Sequence, residues 1–297
     1  MPTLDATSAV HTIASALREL TGELNRAGID GAGGDVRRLL AEALGVSSAD
    51  ILREPERAIG PAEFEALRGY VERRKLHEPV SRILGRREFY GRSFAVSPAT
   101  LDPRPDSETA IVAALEIARE EGWQSAPIRI LDVGTGTGCL LLTLLCELPN
   151  ATGLGTDISE SALATACDNA RRLGTMPRAG WKKADALEGI GDSFHILIAN
   201  PPYVRTGDIA HLDPEVRNFD PAIALDGGID GLTVYRRLLE RAGTVVPNGW
   251  IVLEVGHDQA DAVAGLLASR AYVDANGIRV HRDVSGRRRC VAARTLS

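Results

Sequence analysis

The chain contains the stretch His195-Ile196-Leu197-Ile198-Ala199-Asn200-Pro201-Pro202-Tyr203, in which an apolar run leads into a stiff polar loop. The run is long enough for a buried strand of a parallel sheet. The polar residues that follow it should therefore lie at the carboxyl end of a central strand, where open α/β sheets bind their ligands. The two prolines fix two φ angles and remove two N–H donors, so the loop is suited to accepting hydrogen bonds.

The loop from Asn200 to Tyr203 offers groups that would hold a planar amino group. The side-chain carbonyl of Asn200 and the backbone carbonyl of Pro201 can each accept a hydrogen bond, and Tyr203 supplies a flat ring for stacking. We therefore predict that this loop, including Pro202, binds a planar NH2 group. The alternative interpretation is a surface turn, since Asn-Pro pairs often begin turns.

Strands and helices alternate from Ile128 onward, which predicts a mainly parallel sheet with helices on both faces. Strands are expected near residues 128–133, 152–156, 181–184, 194–199, 250–255, 271–274 and 289–293. Helices are expected near residues 139–148, 159–173, 232–246 and 259–269. Between them, residues 208–226 show an irregular pattern.

The first part of the chain has a different pattern, and we predict three regions. Residues 1–80 form a small helical domain, residues 81–100 a β-hairpin linker and residues 101–297 the catalytic domain. The first helix is expected from Ala6 to about Ala27, with Thr7 or Ser8 as its cap. Further helices are expected from a cap at Asp35 to Leu44, near residues 49–53, and from Pro61 to about Leu76.

A proline-rich segment, Ser97 to Glu108, precedes a helix that should run to about Glu121. Its three prolines hold an extended path. Asp106 or Ser107 is placed to cap the helix. Two roles stay open for this segment: lining the functional site, or capping and spacing alone.

A second motif, Leu131-Asp132-Val133-Gly134-Thr135-Gly136-Thr137-Gly138, joins a strand to a glycine loop that opens a helix. Such a loop lets the backbone approach a ligand and exposes N–H groups at the helix start. The spacing is Gly-x-Gly-x-Gly and differs from that of dinucleotide folds, because Cys139 follows. We predict that a cofactor binds here.

Three acidic residues at strand ends indicate which cofactor it is. Asp157 is placed to hydrogen-bond ribose hydroxyls, and Asp185 to accept from an adenine amino group. Asp132 beside the loop favours a cationic ligand over a pyrophosphate, because a carboxylate repels phosphates and attracts a sulfonium or ammonium. The ligand that fits this description is S-adenosylmethionine. The alternative for each acid taken singly is a cap or a surface residue.

Composition limits the class of protein. Hydrophobic residues make up 44% and charged residues 25% of 297 residues, as in globular proteins, and no run approaches the roughly 18 apolar residues of a membrane helix. The start, Met1 to Asp5, is unlike a signal peptide, so we expect a cytoplasmic protein. The net charge of −6 argues against stable nucleic-acid binding. The four cysteines are scattered, so we expect neither disulfides nor a metal site.

The two motifs together resemble class I S-adenosylmethionine-dependent methyltransferases that methylate planar amino groups. More specifically, the sequence resembles the PrmC/HemK family of protein-(glutamine-N5) methyltransferases. This resemblance rests on four further segments: Glu78-Pro79-Val80, Arg87 to Tyr90, Ser97 to Glu108, and Leu225 to Leu232. Two residues depart from the family pattern, Asp102 where an apolar residue is usual and Ala186 where a bulky one often covers the adenine.

The resemblance implies a Rossmann-like seven-stranded class I methyltransferase domain with a small N-terminal helical domain. It implies methyl transfer to the glutamine of the Gly-Gly-Gln motif of peptide-chain release factors, which would be the protein partner. Carried over by position, Gly134, Thr135, Gly136, Thr137, Gly138, Asp157, Asp185 and Asn200 would hold the cofactor. Asn200, Pro201, Pro202 and Tyr203 would form the glutamine pocket, with Asn200, Pro201 and Tyr203 as catalytic residues. We expect the protein to act as a monomer.

Three other functions remain open from the sequence. A nucleic-acid base also carries a planar amino group, and Arg287-Arg288-Arg289 is either a phosphate patch or a solvated turn. The target glutamine could belong to a ribosomal protein. A cofactor-binding module without catalysis is the third function, and the intact loop from Asn200 to Tyr203 argues against it.

Overall fold

The computed structural model describes residues 11–297, which fall into two compact units divided between Gly85 and Arg86. The division lies five residues beyond the expected boundary at residue 80. The reason is a short helix, Val80–Leu84, whose Val80 and Ile83 side chains are buried in the apolar core of the helical unit.

The helical unit contains five helices. They are α1 (Ile13–Arg26), α2 (Ala32–Leu44), α3 (Ser48–Arg53), α4 (Pro61–Lys75) and α5 (Val80–Leu84). Thr12 caps α1 by accepting a hydrogen bond from the Ser15 N–H, whereas the expected caps Thr7 and Ser8 lie outside the described residues. Gly45 ends α2 in the left-handed conformation, as the sequence predicts.

The prediction that Asp35 caps α2 is wrong. The helix begins three residues earlier, at Ala32, and Asp35 is buried within its first turn. There its Oδ2 accepts a hydrogen bond from Nε of Arg74 on α4 at 2.7 Å. A buried carboxylate needs a charged partner, and this ion pair ties α2 to α4.

The second unit opens with a hairpin of β1 (Arg86–Phe89) and β2 (Arg92–Ala95). Phe89 and Phe94 are buried in the core of this unit. The Asn169 side chain accepts a hydrogen bond from the Ala95 N–H at 2.7 Å and donates one to its carbonyl at 3.0 Å. The hairpin is therefore part of the packed structure of the second unit.

A seven-stranded sheet forms the centre of the second unit, with strand order β5-β4-β3-β6-β7-β9-β8. The strands from β3 to β7 are parallel, and β8 and β9 are antiparallel to their neighbours. The strand bounds are β3 (Arg129–Val133), β4 (Thr152–Asp157), β5 (Ala179–Lys183), β6 (Ile196–Ala199), β7 (Trp250–Glu254), β8 (Arg279–Arg282) and β9 (Arg288–Arg294).

Helices cover both faces of this sheet. They are α6 (Glu108–Glu120), α7 (Cys139–Glu147), α8 (Glu160–Arg172), α10 (Thr233–Val245) and α11 (Ala260–Ala268). A further short helix, α9 (Pro214–Phe219), lies between β6 and α10 and has no buried residue. Side chains alternate along each strand, so Ile130 and Ile196 lie in one apolar cluster and Leu131 and Leu197 in the other. Successive strands are added on one side of β3 up to β5 and then on its other side from β6, so the topological switch point lies between β3 and β6. Open α/β sheets bind ligands at the carboxyl ends of the strands that flank this point.

The expected strand at residues 271–274 is wrong. This segment forms one isolated bridge, between Val273 and Thr295, and the strand that pairs with β9 is β8, Arg279–Arg282. Val273 is buried, so its apolar character reflects packing against the core and not pairing in the sheet. Within residues 11–297, none of the helices combines the length and apolar character that a membrane span requires.

Candidate active site

The glycine loop turns back on itself at the carboxyl end of β3. The N–H groups of Gly134 and Thr135 both donate to the Thr156 carbonyl at 2.8 Å, and the Gly138 N–H donates to the Thr135 carbonyl at 2.7 Å. Gly134, Gly136 and Gly138 have φ angles of 72°, 54° and 79°. These are left-handed conformations that glycine adopts without a steric penalty, so the sequence spacing follows directly from the turn.

Gly138 differs from the other two glycines in its surroundings. A Cβ atom on Gly138 would lie 3.0 Å from Cδ1 of Leu142 and 3.2 Å from Cβ of Ala166, whereas a Cβ on Gly134 would meet nothing within 4 Å. Gly138 therefore permits the close packing of α7 against α8, and Gly134 lies beside open space.

Asp157, the last residue of β4, is held in place by two backbone groups. Its Oδ2 accepts from the Gly136 N–H at 3.0 Å and its Oδ1 from the Ser159 N–H at 2.9 Å. The carboxylate thus links the glycine loop to the start of α8, where Ser159 caps the helix as the sequence predicts.

Asp132 lies on β3 directly before the loop and is buried. Its Oδ2 accepts from the Thr135 hydroxyl at 2.6 Å, and its Oδ1 has no hydrogen-bond partner within the described part of the chain. Burial raises the pKa of Asp132 to about 7, against the opposing effect of the Thr135 hydrogen bond. A cation bound nearby would favour its ionised form.

Asp185 lies beyond the end of β5, and its carboxylate is already engaged. Its Oδ2 lies 2.8 Å from an Nη of Arg237 on α10. Its other oxygen is the one available to a ligand. Ala186, which follows, has a φ of 51°, an uncommon angle for a residue with a Cβ atom.

Asn200 follows β6, which pairs with β3 on one side and with β7 on the other. Its side-chain NH2 donates to the Ser107 hydroxyl at 3.3 Å. This bond leaves its side-chain carbonyl available on the other side of the amide. Within residues 11–297, the Pro201 carbonyl accepts no hydrogen bond from the chain.

Tyr203 packs against the core. Its ring joins the apolar cluster that contains Leu197 and Leu253, and burial raises its pKa to about 12. Its backbone carbonyl accepts a hydrogen bond from Nε2 of the buried Gln259 at 3.0 Å. Gln259 therefore secures this loop, although no pattern in the sequence marks it.

The glycine segment from Leu225 to Leu232 packs directly on the loop from Asn200 to Tyr203. A Cβ atom on Gly227 would lie 2.7 Å from the Pro202 carbonyl oxygen, and one on Gly231 would lie 2.4 Å from the Tyr203 carbonyl oxygen. These approaches are too close for any side chain. The glycines of this segment thus serve the conformation of the neighbouring loop.

One cavity of about 430 Å³ lies at this edge of the sheet. Nine of the predicted residues line it: Gly134, Thr135, Gly136, Thr137, Asp157, Asp185, Asn200, Pro201 and Pro202. Among the described residues, this lining does not include Gly138 or Tyr203. The glycine loop and the Asn200 loop therefore open onto the same space, as a transfer between their ligands requires.

The proline-rich segment forms part of the cavity wall. Pro103, Arg104 and Ser107 line the cavity, and Ser107 ends a 3-10 turn before α6 without capping it through its side chain. Arg104 forms an ion pair with the buried Asp220 at 2.5 Å. This pair joins the segment to residues 208–226, which form short helical turns.

Glu254 is a second residue of this region that the sequence patterns did not indicate. It ends β7, is buried, and lies beside Ser107 and Asn200, whose side chains both lower its pKa. The signal available in the sequence was an acid at the end of an apolar strand, the same signal that identified Asp157.

Two family models match the chain. Residues 15–85 match the PrmC N-terminal domain, and residues 116–213 match the Methyltransferase small domain. A protein of Rhodospirillum rubrum named Release factor glutamine methyltransferase is 42% identical over 275 residues, covering 91% of this chain and 81% of its own length. A protein of the same name from Agrobacterium fabrum is 42% identical over 269 residues, covering 90% of this chain and 91% of its own length.

Solved structures share the fold at low identity. The hMettl16 catalytic domain, crystallised in complex with MAT2A 3'UTR hairpin 6, matches with a TM-score of 0.56 and 15% identity, covering 73% of this chain and 84% of that one. At this identity the similarity concerns the fold alone.

Proposed function

The chain belongs to the family of release factor glutamine methyltransferases, and from this membership we propose that it transfers a methyl group from S-adenosylmethionine to the side-chain amide nitrogen of a release-factor glutamine. The single observation that carries the proposal at the level of residues is the shared cavity. The glycine loop lines one part of it, and Asn200 and Pro201 line another. We propose the cytoplasm as its location, because release factors act there, and a monomer as the active form.

The residues around the glycine loop fit S-adenosylmethionine. A cationic ligand would satisfy Asp132, whose buried Oδ1 has no hydrogen-bond partner among the described residues. Asp157 would accept from ribose hydroxyls, and the free oxygen of Asp185 from the adenine amino group. Gly134, Thr135, Gly136 and Thr137 would approach the ligand through their backbone, while Gly138 would support the loop through helix packing. The bound cofactor supplies an electrophilic methyl group on a positively charged sulfur.

The Asn200 loop would hold the glutamine amide. The side-chain carbonyl of Asn200 and the backbone carbonyl of Pro201 would each accept one N–H of the substrate NH2, with Pro202 stiffening the loop. Tyr203, whose ring packs in the core and is not part of the described cavity lining, would support this loop from behind. An amide nitrogen is a poor nucleophile because its lone pair is delocalised, so alignment is the main contribution the protein can make. Orientation of this kind lowers a barrier by about 7–11 kcal/mol in favourable cases.

Charge complementarity would add to alignment. Positive charge develops on the amide nitrogen as the new N–C bond forms, and two carbonyl oxygens that already accept its N–H bonds stabilise that charge. The bound cofactor would supply the methyl group and keep the electrons of the S–C bond that breaks, while Asn200 and Pro201 would hold the nitrogen until it loses one proton to solvent. The product is a neutral N-methyl amide. No metal or covalent enzyme intermediate is needed in this scheme.

To test this proposal, the protein is incubated with methyl-labelled S-adenosylmethionine and one of three acceptors in separate reactions. The acceptors are a purified bacterial release factor, ribosomal proteins, and a mixture of tRNA and rRNA. The proposal expects label on the release factor. A release factor in which the glutamine of the Gly-Gly-Gln motif is replaced by glutamate is the matched control and should remain unlabelled. Label on RNA alone, or on ribosomal protein alone, would contradict the choice of substrate.

A further inference from the structure

Glu254 is a buried carboxylate beside the proposed amide site. It ends β7, whose residue Leu253 pairs with Ala199, the residue before Asn200. The side chain is 1% exposed, and its Oε2 has no hydrogen-bond partner within the described part of the chain. The Tyr235 hydroxyl donates to its backbone carbonyl at 2.7 Å, which fixes the end of the strand.

The donors that reach this carboxylate come from two loops of the cavity wall. The Ser107 hydroxyl and the Asn200 side-chain amide both lower the pKa of this carboxylate, so both groups lie beside it. The Asn200 NH2 also lies 3.3 Å from the Ser107 hydroxyl oxygen. Ser107, Asn200 and Glu254 therefore lie together in one small polar cluster, which we call the Glu254 cluster.

The chemistry of a carboxylate decides which end of the Asn200 amide turns towards it. An ionised carboxylate can only accept hydrogen bonds, and an amide has a donor end and an acceptor end. Glu254 must therefore bind the NH2 end. The carbonyl end is then directed to the opposite side, where a substrate N–H needs an acceptor.

We propose that Glu254 is a positioning residue: with Ser107, it holds the NH2 of Asn200 so that the Asn200 carbonyl accepts a hydrogen bond from the substrate amide. This inference rests on the proposed function and adds a residue to it. Glu254 acts through Asn200 and does not touch the reacting atoms.

The protonation state of Glu254 then controls which end of the Asn200 side-chain amide faces it. Burial raises its pKa to about 7, against the Ser107 hydrogen bond and the charge of Arg289 on β9, which lower it. The other ionisable groups near it are Asp106 before α6, Cys139 on α7, Tyr203 after β6, Tyr235 on α10 and Cys290 on β9. A protonated Glu254 can donate to the Asn200 carbonyl and favour the flipped amide. Turnover should therefore rise with pH through about 7.

The raised pKa of Glu254 has the opposite consequence for stability: ionisation should increase turnover but destabilise the fold. Because the pKa of Glu254 is higher in the folded protein than its ordinary value of 4.5, folding favours the protonated form, and this contribution is lost as pH rises through about 7. Ionised Glu254 is thus a destabilising group above that pH. Replacing Glu254 with a neutral residue should therefore raise the melting temperature above about pH 7. Replacing a carboxylate whose ionised form stabilises the fold would instead lower the melting temperature.

The kinetic test compares Glu254→Gln and Glu254→Leu with Glu121→Gln. Glu121, which follows α6, accepts a hydrogen bond from Nε1 of Trp250 at the opposite end of β7, so it controls for loss of a carboxylate that contacts the same strand. We expect Glu254→Gln to lower kcat roughly tenfold and Glu254→Leu further, with the affinity for S-adenosylhomocysteine unchanged. Both should melt higher than wild type at about pH 8, and Glu254→Gln should lose the rise of kcat through about pH 7. Unchanged kcat, or an equal loss in cofactor affinity, would overturn the proposal.

A second test does not depend on the substrate. The side-chain amide ¹H–¹⁵N resonance of Asn200, assigned by its loss in Asn200→Ala, should titrate near pH 7 in wild type and not in Glu254→Gln. A resonance that does not titrate in wild type would overturn the inference. If wild type methylated no release factor but this resonance titrated as expected, the substrate proposal would fail while the Glu254 cluster would stand.

Discussion

The side-chain NH2 of Asn200 lies 3.3 Å from the hydroxyl oxygen of Ser107, a residue 93 positions earlier in the chain. The bond joins the end of a central strand to the proline-rich segment, for which the sequence left two roles open. Because Pro103, Arg104 and Ser107 also line the cavity, the segment is part of the site wall. The rigidity of the proline-rich segment fits this role, because a segment that positions Asn200 must itself keep one conformation.

Replacing Asn200 with alanine should lower turnover far more than cofactor affinity. The variant loses a carbonyl acceptor whose bond strengthens as charge develops on the substrate nitrogen, and loss of one such group typically lowers kcat by about 100- to 1,000-fold. Single-turnover kinetics with a release factor, together with calorimetric titration of S-adenosylhomocysteine, measure the two effects separately. Equal losses in both would count against the role of Asn200.

Gly231→Ala should disturb the Asn200 loop from outside the cavity. Its Cβ would lie 2.4 Å from the Tyr203 carbonyl oxygen and 2.4 Å from Nε2 of Gln259, at a φ of 74°. We expect a lower melting temperature and a lower kcat. Gly207→Ala is the matched control, because a Cβ there meets nothing within 4 Å. If both variants behaved like wild type, the proposed support of the loop by this segment would be wrong.

Asp132 should make cofactor affinity depend on pH. Its pKa of about 7 must fall when a cation binds, so binding near neutral pH should release a proton and become tighter between about pH 6 and about pH 7.5. Calorimetric titration of S-adenosylmethionine in two buffers of different ionisation enthalpy counts the released protons. Asp132→Asn should bind roughly tenfold more weakly at about pH 7.5 and release no proton. An unaltered proton count in this variant would exclude Asp132 as the source.

Asp35→Asn should destabilise the helical unit. The variant removes the buried carboxylate that pairs with the guanidinium of Arg74, and removing one member of a buried pair typically costs about 3–5 kcal/mol. Urea unfolding of the full chain measures the change. Glu72→Gln, which breaks an exposed pair with Lys75 on the same unit, should leave the transition unmoved. A small effect of Asp35→Asn would show that the pair contributes little to stability.

The parts of the site that sequence predicts well lie at strand ends. The glycine loop, Asp157 and Asn200 each follow a strand that the apolar pattern identifies, and parallel strands bring their carboxyl ends to one edge. Their meeting in one cavity therefore follows from topology. The left-handed turns of the loop follow from the glycines themselves.

What the sequence could not provide depends on neighbours distant in the chain. Asp35 has the residue type of a cap, and only the position of Arg74 makes it a buried ion. The apolar character of Val273 indicates a strand, although its burial arises from packing. Gln259 and Ser107 act through bonds to Tyr203 and Asn200, and no spacing along the chain indicates these bonds.

The basic residues 287–289 also have partners that lie far away in the chain and that the sequence does not indicate. The guanidinium of Arg288 pairs with Asp261 at 2.6 Å, and that of Arg289 with Asp106 at 2.6 Å. Two of its three side chains are thus engaged with carboxylates of the chain, which weakens the case for a phosphate patch.

The most direct test of the central claim locates the transferred methyl at the level of atoms. Release factor treated with wild-type protein and S-adenosylmethionine is digested and analysed by fragment mass spectrometry, with Asn200→Ala as the blank. We expect the added mass of one methyl group on the side-chain amide of the glutamine in the Gly-Gly-Gln motif, and almost none in the blank. A methyl on any other residue, or equal labelling by Asn200→Ala, would contradict it.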